Sequence, residues 1–176
     1  VRLRPEGPAD AAAIRRVVTA AFALPDVPMP AEAGLVETLR DSEAWLPELS
    51  VVAEVGGELV GYALLTRVRV DPGLVPALAL GPVAVLPSRQ GRGYGTAVVQ
   101  AALDAATELG ERLVVVLGNP AFYRRFGFEP AARFALTSPW SGLGDPWQAL
   151  VLPVAIGGAE PPPSGDVSYP QAWAQV

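Results

Sequence analysis

Apolar residues in this chain keep two different spacings. From Pro8 to Phe22 they recur every three or four positions, with Ala12, Ile14, Val17, Val18 and Phe22 on one face and Pro8-Ala-Asp10 as the start, which predicts a helix. Leu35, Val36 and Leu39 repeat that spacing and predict a second helix over Glu32–Arg40, and the prolines of Leu24–Pro30 make the connection a loop. Alternation at Val1–Arg4 predicts a short first strand. Leu49–Val55 and Leu59–Val70 are β-branched and apolar runs joined by Gly56-Gly57, the pattern of an antiparallel hairpin. Asp71-Pro72-Gly73 marks a further turn. Ala77–Leu86 is too apolar for a solvent face and reads as a central strand.

From there the order is strand, helix, strand, short helix, strand. Tyr94–Leu109 carries Val98, Ala102, Ala105 and Leu109 as a helical stripe and stops at Gly110. Arg112–Leu117 reads as a strand, Ala121–Phe126 as a short helix, and Phe128–Leu136 and Gln148–Ala155 as later strands. Gly157–Gly165 has linker composition, and the aromatics Tyr169 and Trp173 predict that the tail docks back on the body. The expectation is an α/β fold: a mixed sheet of about seven strands, with an antiparallel hairpin followed by a βαβ crossover, flanked by about four helices. Residues 1–155 are expected to form a single domain, and 156–176 a Pro/Gly linker with a docked tail.

Composition narrows the chemistry mainly by what it lacks. Among 176 residues there is no Cys, no His and no Lys. Disulfides, thiolate nucleophiles, a Ser-His-Asp triad, a P-loop lysine and a Schiff-base lysine are therefore excluded. A metal site would need carboxylates alone, and no acidic cluster suggests one, so no metal is expected. Hydrophobic content of 51% with 18% charged residues fits a folded globule. A net charge of −5 argues against general nucleic-acid binding, although local arginines and amides can still favour an anionic ligand. Each apolar run is broken well short of the ~20 residues that cross a bilayer. VRLRPEGPAD lacks a signal-peptide core, so a cytoplasmic location without membrane attachment is expected.

The densest information lies in Leu80–Gly95, where a strand runs through a proline stop into Gln90-Gly91-Arg92-Gly93-Tyr94-Gly95 and then a helix. Glycines at 91, 93 and 95 keep Cβ atoms out of the way, and amides at a helix's positive end can converge on a phosphate. A tight turn with no ligand is the plain alternative. A dinucleotide fingerprint fits badly. Counted from Gly91, its last small residue would be Thr96, and Glu111 precedes its strand instead of ending it.

Val85-Leu-Pro87-Ser-Arg-Gln90-Gly-Arg-Gly93-Tyr-Gly95 resembles the acetyl-CoA signature of the GNAT superfamily of N-acetyltransferases, and Phe122-Tyr123-Arg124-Arg125-Phe126-Gly127-Phe128 resembles its second signature. Leu117-Gly-Asn-Pro-Ala-Phe-Tyr and the tail around Tyr169–Trp173 are similar to one bacterial branch, the YhbS-like acetyltransferases. The resemblance runs from Val1 to about Leu136. It implies that main-chain groups of Val83, Ala84 and Val85, on a splayed central strand, pair with the pantetheine arm of acetyl-CoA. Amides of Gln90, Gly91, Arg92, Gly93, Tyr94, Gly95 and Thr96 would take its diphosphate, helped by Arg89 or Arg92. Asn119 would reach the pantetheine, and Tyr123 would stand beside the thioester sulfur.

Chemistry supports Tyr123 separately. Aminolysis of a thioester needs a free amine, an aligned carbonyl and protonation of the departing thiolate, and a phenol can serve as that acid. The proton of an alkyl amine also needs an acceptor, and without His the candidates are Glu54, Glu32, Glu37 or a water relay. The expected function is direct acetyl transfer from acetyl-CoA to a small-molecule or peptide amine bound by the loop after Phe22 and the second helix. A non-catalytic acyl-CoA-binding sensor is the alternative, with a partner-binding domain behind it. Pairing of two chains into a homodimer stays open.

Overall fold

A computed structural model describes residues 1–153 and 160–176. Among the described residues the strands are β1 (Arg2–Pro5), β2 (Ser50–Val55), β3 (Glu58–Asp71), β4 (Val75–Val85), β5 (Leu113–Leu117), β6 (Glu129–Pro130), β7 (Leu136–Thr137), β8 (Trp147–Val151) and β9 (Gly165–Ser168). The α-helices are α1 (Ala11–Phe22), α2 (Ala31–Arg40), α3 (Tyr94–Glu108) and α4 (Pro120–Tyr123). The strand count exceeds the expected number because three of the nine are very short or lie in the tail. The chain gathers into two compact units. One comprises Val1–Thr66, Pro82–Ala105 and Gln171–Val176, the other Arg67–Gly81 and Ala106–Pro170. Strands β3 and β4 and helix α3 contribute residues to both.

In the first unit β1 pairs antiparallel with β2, and β2 with β3 across the Gly56-Gly57 turn. A bulge between Ala53 and Glu54 shifts the register. Ile14, Val17 and Val18 of α1 and Leu35, Val36 and Leu39 of α2 form one core with Val52, Leu59, Tyr62 and Leu64, while Ala12 lies exposed, outside the expected stripe. Each large aliphatic side chain sealed there contributes roughly 1.5–3 kcal/mol of burial. The tail closes on the same core, since Ala172 is buried and Trp173 packs against it from a 3-10 turn at Gln171–Gln175.

In the second unit β5 lies between β4, parallel at Leu78↔Val114 to Leu80↔Val116, and β8, antiparallel from Leu113↔Val151 to Leu117↔Trp147. Helix α3 makes the crossover between β4 and β5. It ends at Gly110, where the Gly110 and Glu111 amides bond back to Thr107 and Ala106 carbonyls. Its buried residues are Val98, Val99, Ala102, Leu103 and Ala106, whereas Ala105 is half-buried and Leu109 exposed. The buried stripe is turned by about one position from the expected one, with Ala106 and not Ala105 facing the core, and Leu109 lies beyond the end of α3.

Two strand expectations need correcting. Phe128–Leu136 is not one strand: Glu129–Pro130 pairs with β8, Ala131–Phe134 is a 3-10 turn, and only Leu136–Thr137 resumes pairing. Pro130 has no N–H to extend a ladder, and Ala135 turns the chain at a φ of 54°. The linker reading of Gly157–Gly165 fails at its end. Gly165–Ser168 pairs antiparallel with Arg69–Asp71 of β3 and parallel with β7. Residues 157–159 of that linker, and the end of the expected strand Gln148–Ala155, lie outside the described residues.

Candidate active site

The first unit holds the glycine turn. β4 runs to Val85 with Ala84 buried and Val83 and Val85 half-buried, although its ladder with β5 stops at Leu80. A 3-10 turn, Pro87–Arg89, follows, and there the Gln90 amide is taken by the Pro87 carbonyl at 3.4 Å. The Gln90 side chain donates to the Val85 carbonyl at 3.1 Å. Gln90 thus braces the strand end against the turn with both its main chain and its side chain.

Past Gln90 the amides change character. Among the described residues, no main-chain carbonyl meets hydrogen-bond geometry with the N–H groups of Gly91, Arg92, Gly93, Tyr94 and Gly95, while the Ala97 amide is paired with the Gly93 carbonyl at 2.9 Å. Thr96 makes an interaction within the protein. Gly91 and Gly93 have φ of 73° and 85°, values a Cβ would strain, and it is this left-handed backbone that leads the chain into α3. No acidic residue stands in the first turn of α3. Bare amides at the start of a 15-residue helix form a positive cradle suited to an oxyanion. Of the neighbouring arginines, Arg89 is tied to Glu58 at 2.9 Å, whereas exposed Arg92 has no ion pair among the described residues.

The second unit holds Asn119 and Tyr123. Asn119 caps α4, its side-chain oxygen accepting from the Ala121 amide at 2.9 Å, while its carbonyl receives the Phe122 and Tyr123 amides. Side chains on a helix lean toward its N-terminus, so the Tyr123 ring folds back over the strand–helix junction at Gly118. Phe122 and Phe128 meet the ring edge-on, with centroids 4.9 Å and 5.7 Å away. Tyr123 is only 9% exposed. Its hydroxyl has no hydrogen-bond partner among the described residues and is not sealed from solvent. Burial of the ring pushes the phenol up to about 12, so it stays protonated at any physiological pH and offers a proton, never a base.

The carboxylates read as bases differ in how free they are. Glu54 Oε2 accepts from both Nε and Nη2 of Arg4, at 3.2 and 3.0 Å. Glu37 pairs with Arg15. Glu32, in the first turn of α2, has no ion pair among the described residues.

Two contributors were not singled out from sequence, Gly118 and Gln148. A Cβ on Gly118 would run into the Tyr123 ring. The side-chain amide of Gln148, on β8 and 1% exposed, donates to the Gly118 carbonyl at 3.2 Å and to the Pro146 carbonyl at 3.4 Å. Their only trace in the sequence was a glycine directly after β5 and one polar residue inside an apolar strand.

The mixed sheet with its parallel crossover between β4 and β5 is the fold of known acetyl-CoA-dependent acyltransferases. Residues 19–128 match the model of the acetyltransferase (GNAT) family, and the chain belongs to that family. It is 38% identical to the uncharacterized N-acetyltransferase YjhQ of Escherichia coli K12 over 127 residues, which cover 70% of this chain and 66% of YjhQ. To the uncharacterized N-acetyltransferase YhbS of the same strain it is 34% identical over 146 residues, 83% and 84% of the two chains. The crystal structure of E. coli YhbS in complex with CoA superposes with a TM-score of 0.83 at 31% identity, covering 98% of this chain and 91% of that one. A GNAT acetyltransferase of Brucella melitensis in complex with acetyl-CoA gives 0.74 at 34% identity, covering 98% and 97%.

Proposed function

We propose that this protein transfers an acetyl group from acetyl-CoA directly to an amine. The observation that carries this reading is the run of five amides from Gly91 to Gly95, at the head of α3, that are unpaired among the described residues. Those amides take the diphosphate, and Arg92, which unlike Arg89 has no ion pair among the described residues, adds a guanidinium. Main-chain groups of Val83 and Val85 receive the pantetheine amides as an added strand would. The CoA and acetyl-CoA complexes of the two similar structures support the same co-substrate.

Tyr123 serves the leaving thiolate. A phenol near 12 facing a thiol near ~8.5 makes full proton transfer uphill by about 3.5 units, or roughly 5 kcal/mol. Tyr123 therefore acts mainly by donating a hydrogen bond to sulfur as charge builds there, without surrendering its proton in the ground state. Glu54 and Glu37 are engaged by arginines, so the amine arrives neutral or gives its proton to water or to Glu32, which has no ion pair among the described residues. Alignment of amine and thioester supplies the larger share of the rate, on the order of 7–11 kcal/mol.

Calorimetry with acetyl-CoA, followed by thiol-release assays over a panel of primary amines, tests both halves. Binding with turnover of at least one amine is expected. Absence of binding at millimolar acetyl-CoA removes the reading. Tight binding with no turnover over a wide panel instead favours an acyl-CoA sensor.

A further inference from the structure

We infer that Gly118, held in place by Gln148, is a positioning residue that sets where the Tyr123 hydroxyl emerges. This rests on the reading of Tyr123 as the group that serves the leaving thiolate.

The geometry is local and specific. The Gly118 amide donates to the Pro146 carbonyl at 2.9 Å, and its carbonyl accepts from Gln148 Nε2 at 3.2 Å, so this peptide is pinned from both sides to the chain entering β8. The Tyr123 ring occupies the space that a Cβ on Gly118 would take. The nearest ring atom to a built Cβ is Cε2, Cδ2 lies at 3.1 Å and Cζ at 3.3 Å. A methyl group there would press on the hydroxyl-bearing half of the ring. Phe122 and Phe128 pack against the same ring in T-shaped contacts, so a shift of the ring disturbs them. Glycine at 118 is not explained by backbone conformation, because φ there is not in the left-handed range. The reason lies in what rests on it. Likewise a fully buried glutamine in an otherwise apolar strand is costly unless its donors are used, and both acceptors it meets belong to the segments that fix Gly118.

Gly118→Ala is the test, read by steady-state kinetics in the wild-type and Tyr123→Phe backgrounds. The expected result is a kcat lower by about 10- to 100-fold, the scale of a reacting group displaced by an ångström, with the acetyl-CoA KM within about twofold. In the Tyr123→Phe background the same change should alter kcat by less than about twofold, since no hydroxyl is left to misplace. Equal losses in both backgrounds, or an unchanged kcat in the first, overturn the inference. An ultraviolet titration gives a readout independent of turnover, in which a displaced Tyr123 ring ionises closer to the ordinary ~10 of a free phenol. Ionisation still near about 12 in Gly118→Ala counts against displacement. Should Gly118→Ala fail to fold, Gln148→Met keeps the side-chain volume, removes the amide and is subject to the same comparison with a smaller expected loss. If Tyr123→Phe alone leaves kcat intact, the reading of Tyr123 fails and this inference with it. If Tyr123→Phe lowers kcat while Gly118→Ala and Gln148→Met do not, the inference alone fails.

Discussion

At Gly93 the backbone sits at a φ of 85°, and a methyl group built there would meet nothing within 4 Å; at Gly118 the backbone is ordinary, and the same methyl would strike the Tyr123 ring. One glycine is required by the chain's own conformation and leaves open space in front of bare amides. The other is required by a neighbour and leaves no space at all. Under the proposed function the contrast separates two jobs in acyl transfer: an open cradle would govern whether the co-substrate is held, and a packed platform where a proton donor points. Substitutions in the two regions should therefore move different kinetic constants.

The largest effect is expected in the cradle. Gly91→Val with Gly93→Val forces two β-branched residues out of the left-handed region, at roughly 1–2 kcal/mol each, and the turn should relax to a form whose amides no longer converge. Calorimetry should show the acetyl-CoA Kd rising by about 100-fold or more, while kcat at saturation stays within a few-fold. A Kd that barely moves would mean the diphosphate is held elsewhere.

Next comes Tyr123→Phe, which keeps the ring and its packing against Phe122 and Phe128 and removes only the hydroxyl. Because the phenol acts by hydrogen bonding to sulfur, the loss in kcat should be about 10- to 100-fold, toward the low end of general-acid effects. The acetyl-CoA KM should stay within about twofold. A substitution that raises KM and spares kcat would place Tyr123 with the cradle and erase the division.

Arg92 and Arg89 sharpen the comparison at smaller amplitude. Arg92→Ala removes a guanidinium with no carboxylate partner among the described residues and should weaken acetyl-CoA about five-fold, less at high salt. Arg89→Ala should cost less, since it breaks a half-exposed pair with Glu58, and pairs of that kind contribute little. Reversal of that order, measured by calorimetry at two ionic strengths, would reassign the phosphate contact.

How much of this could be read in advance differed between the two regions. The hairpin, β4 and the glycine turn were legible because period-two patterning and closely spaced glycines act over a few residues. Tyr123 was singled out from residue type and a local motif, and the structure sets its ring against Gly118. The platform was not, because Gly118 and Gln148 meet across a β5–β8 pairing that joins residues 30 apart. Strand β9 was missed for a related reason: its Pro/Gly-rich approach looks like a linker, and its partners Arg69–Asp71 lie almost a hundred residues earlier. The rotation of the α3 stripe came from Ala105 and Ala106, neighbours of one residue type that periodicity alone cannot tell apart.

The smallest expected effect is a pH dependence that should be missing. With its phenol pushed up to about 12, Tyr123 is about 1% ionised at pH 10, where an ordinary phenol would be half ionised. Between pH 7 and 10, roughly, kcat/KM should thus rise as the amine deprotonates, with no falling limb from Tyr123, and the profile of Tyr123→Phe should run parallel and lower. Stability gives the sign independently. The buried phenol binds its proton more tightly folded than unfolded, so this contribution is full below about pH 10 and is lost as pH climbs toward about 12. Alkaline denaturation of wild type should accordingly be steeper above pH ~10 than that of Tyr123→Phe, since only the wild-type unfolded chain releases that proton. A falling limb near pH 8–9, roughly, that disappears in Tyr123→Phe would mean the phenol is a far stronger acid than its burial allows, and the platform would then be tuning proton affinity as well as position.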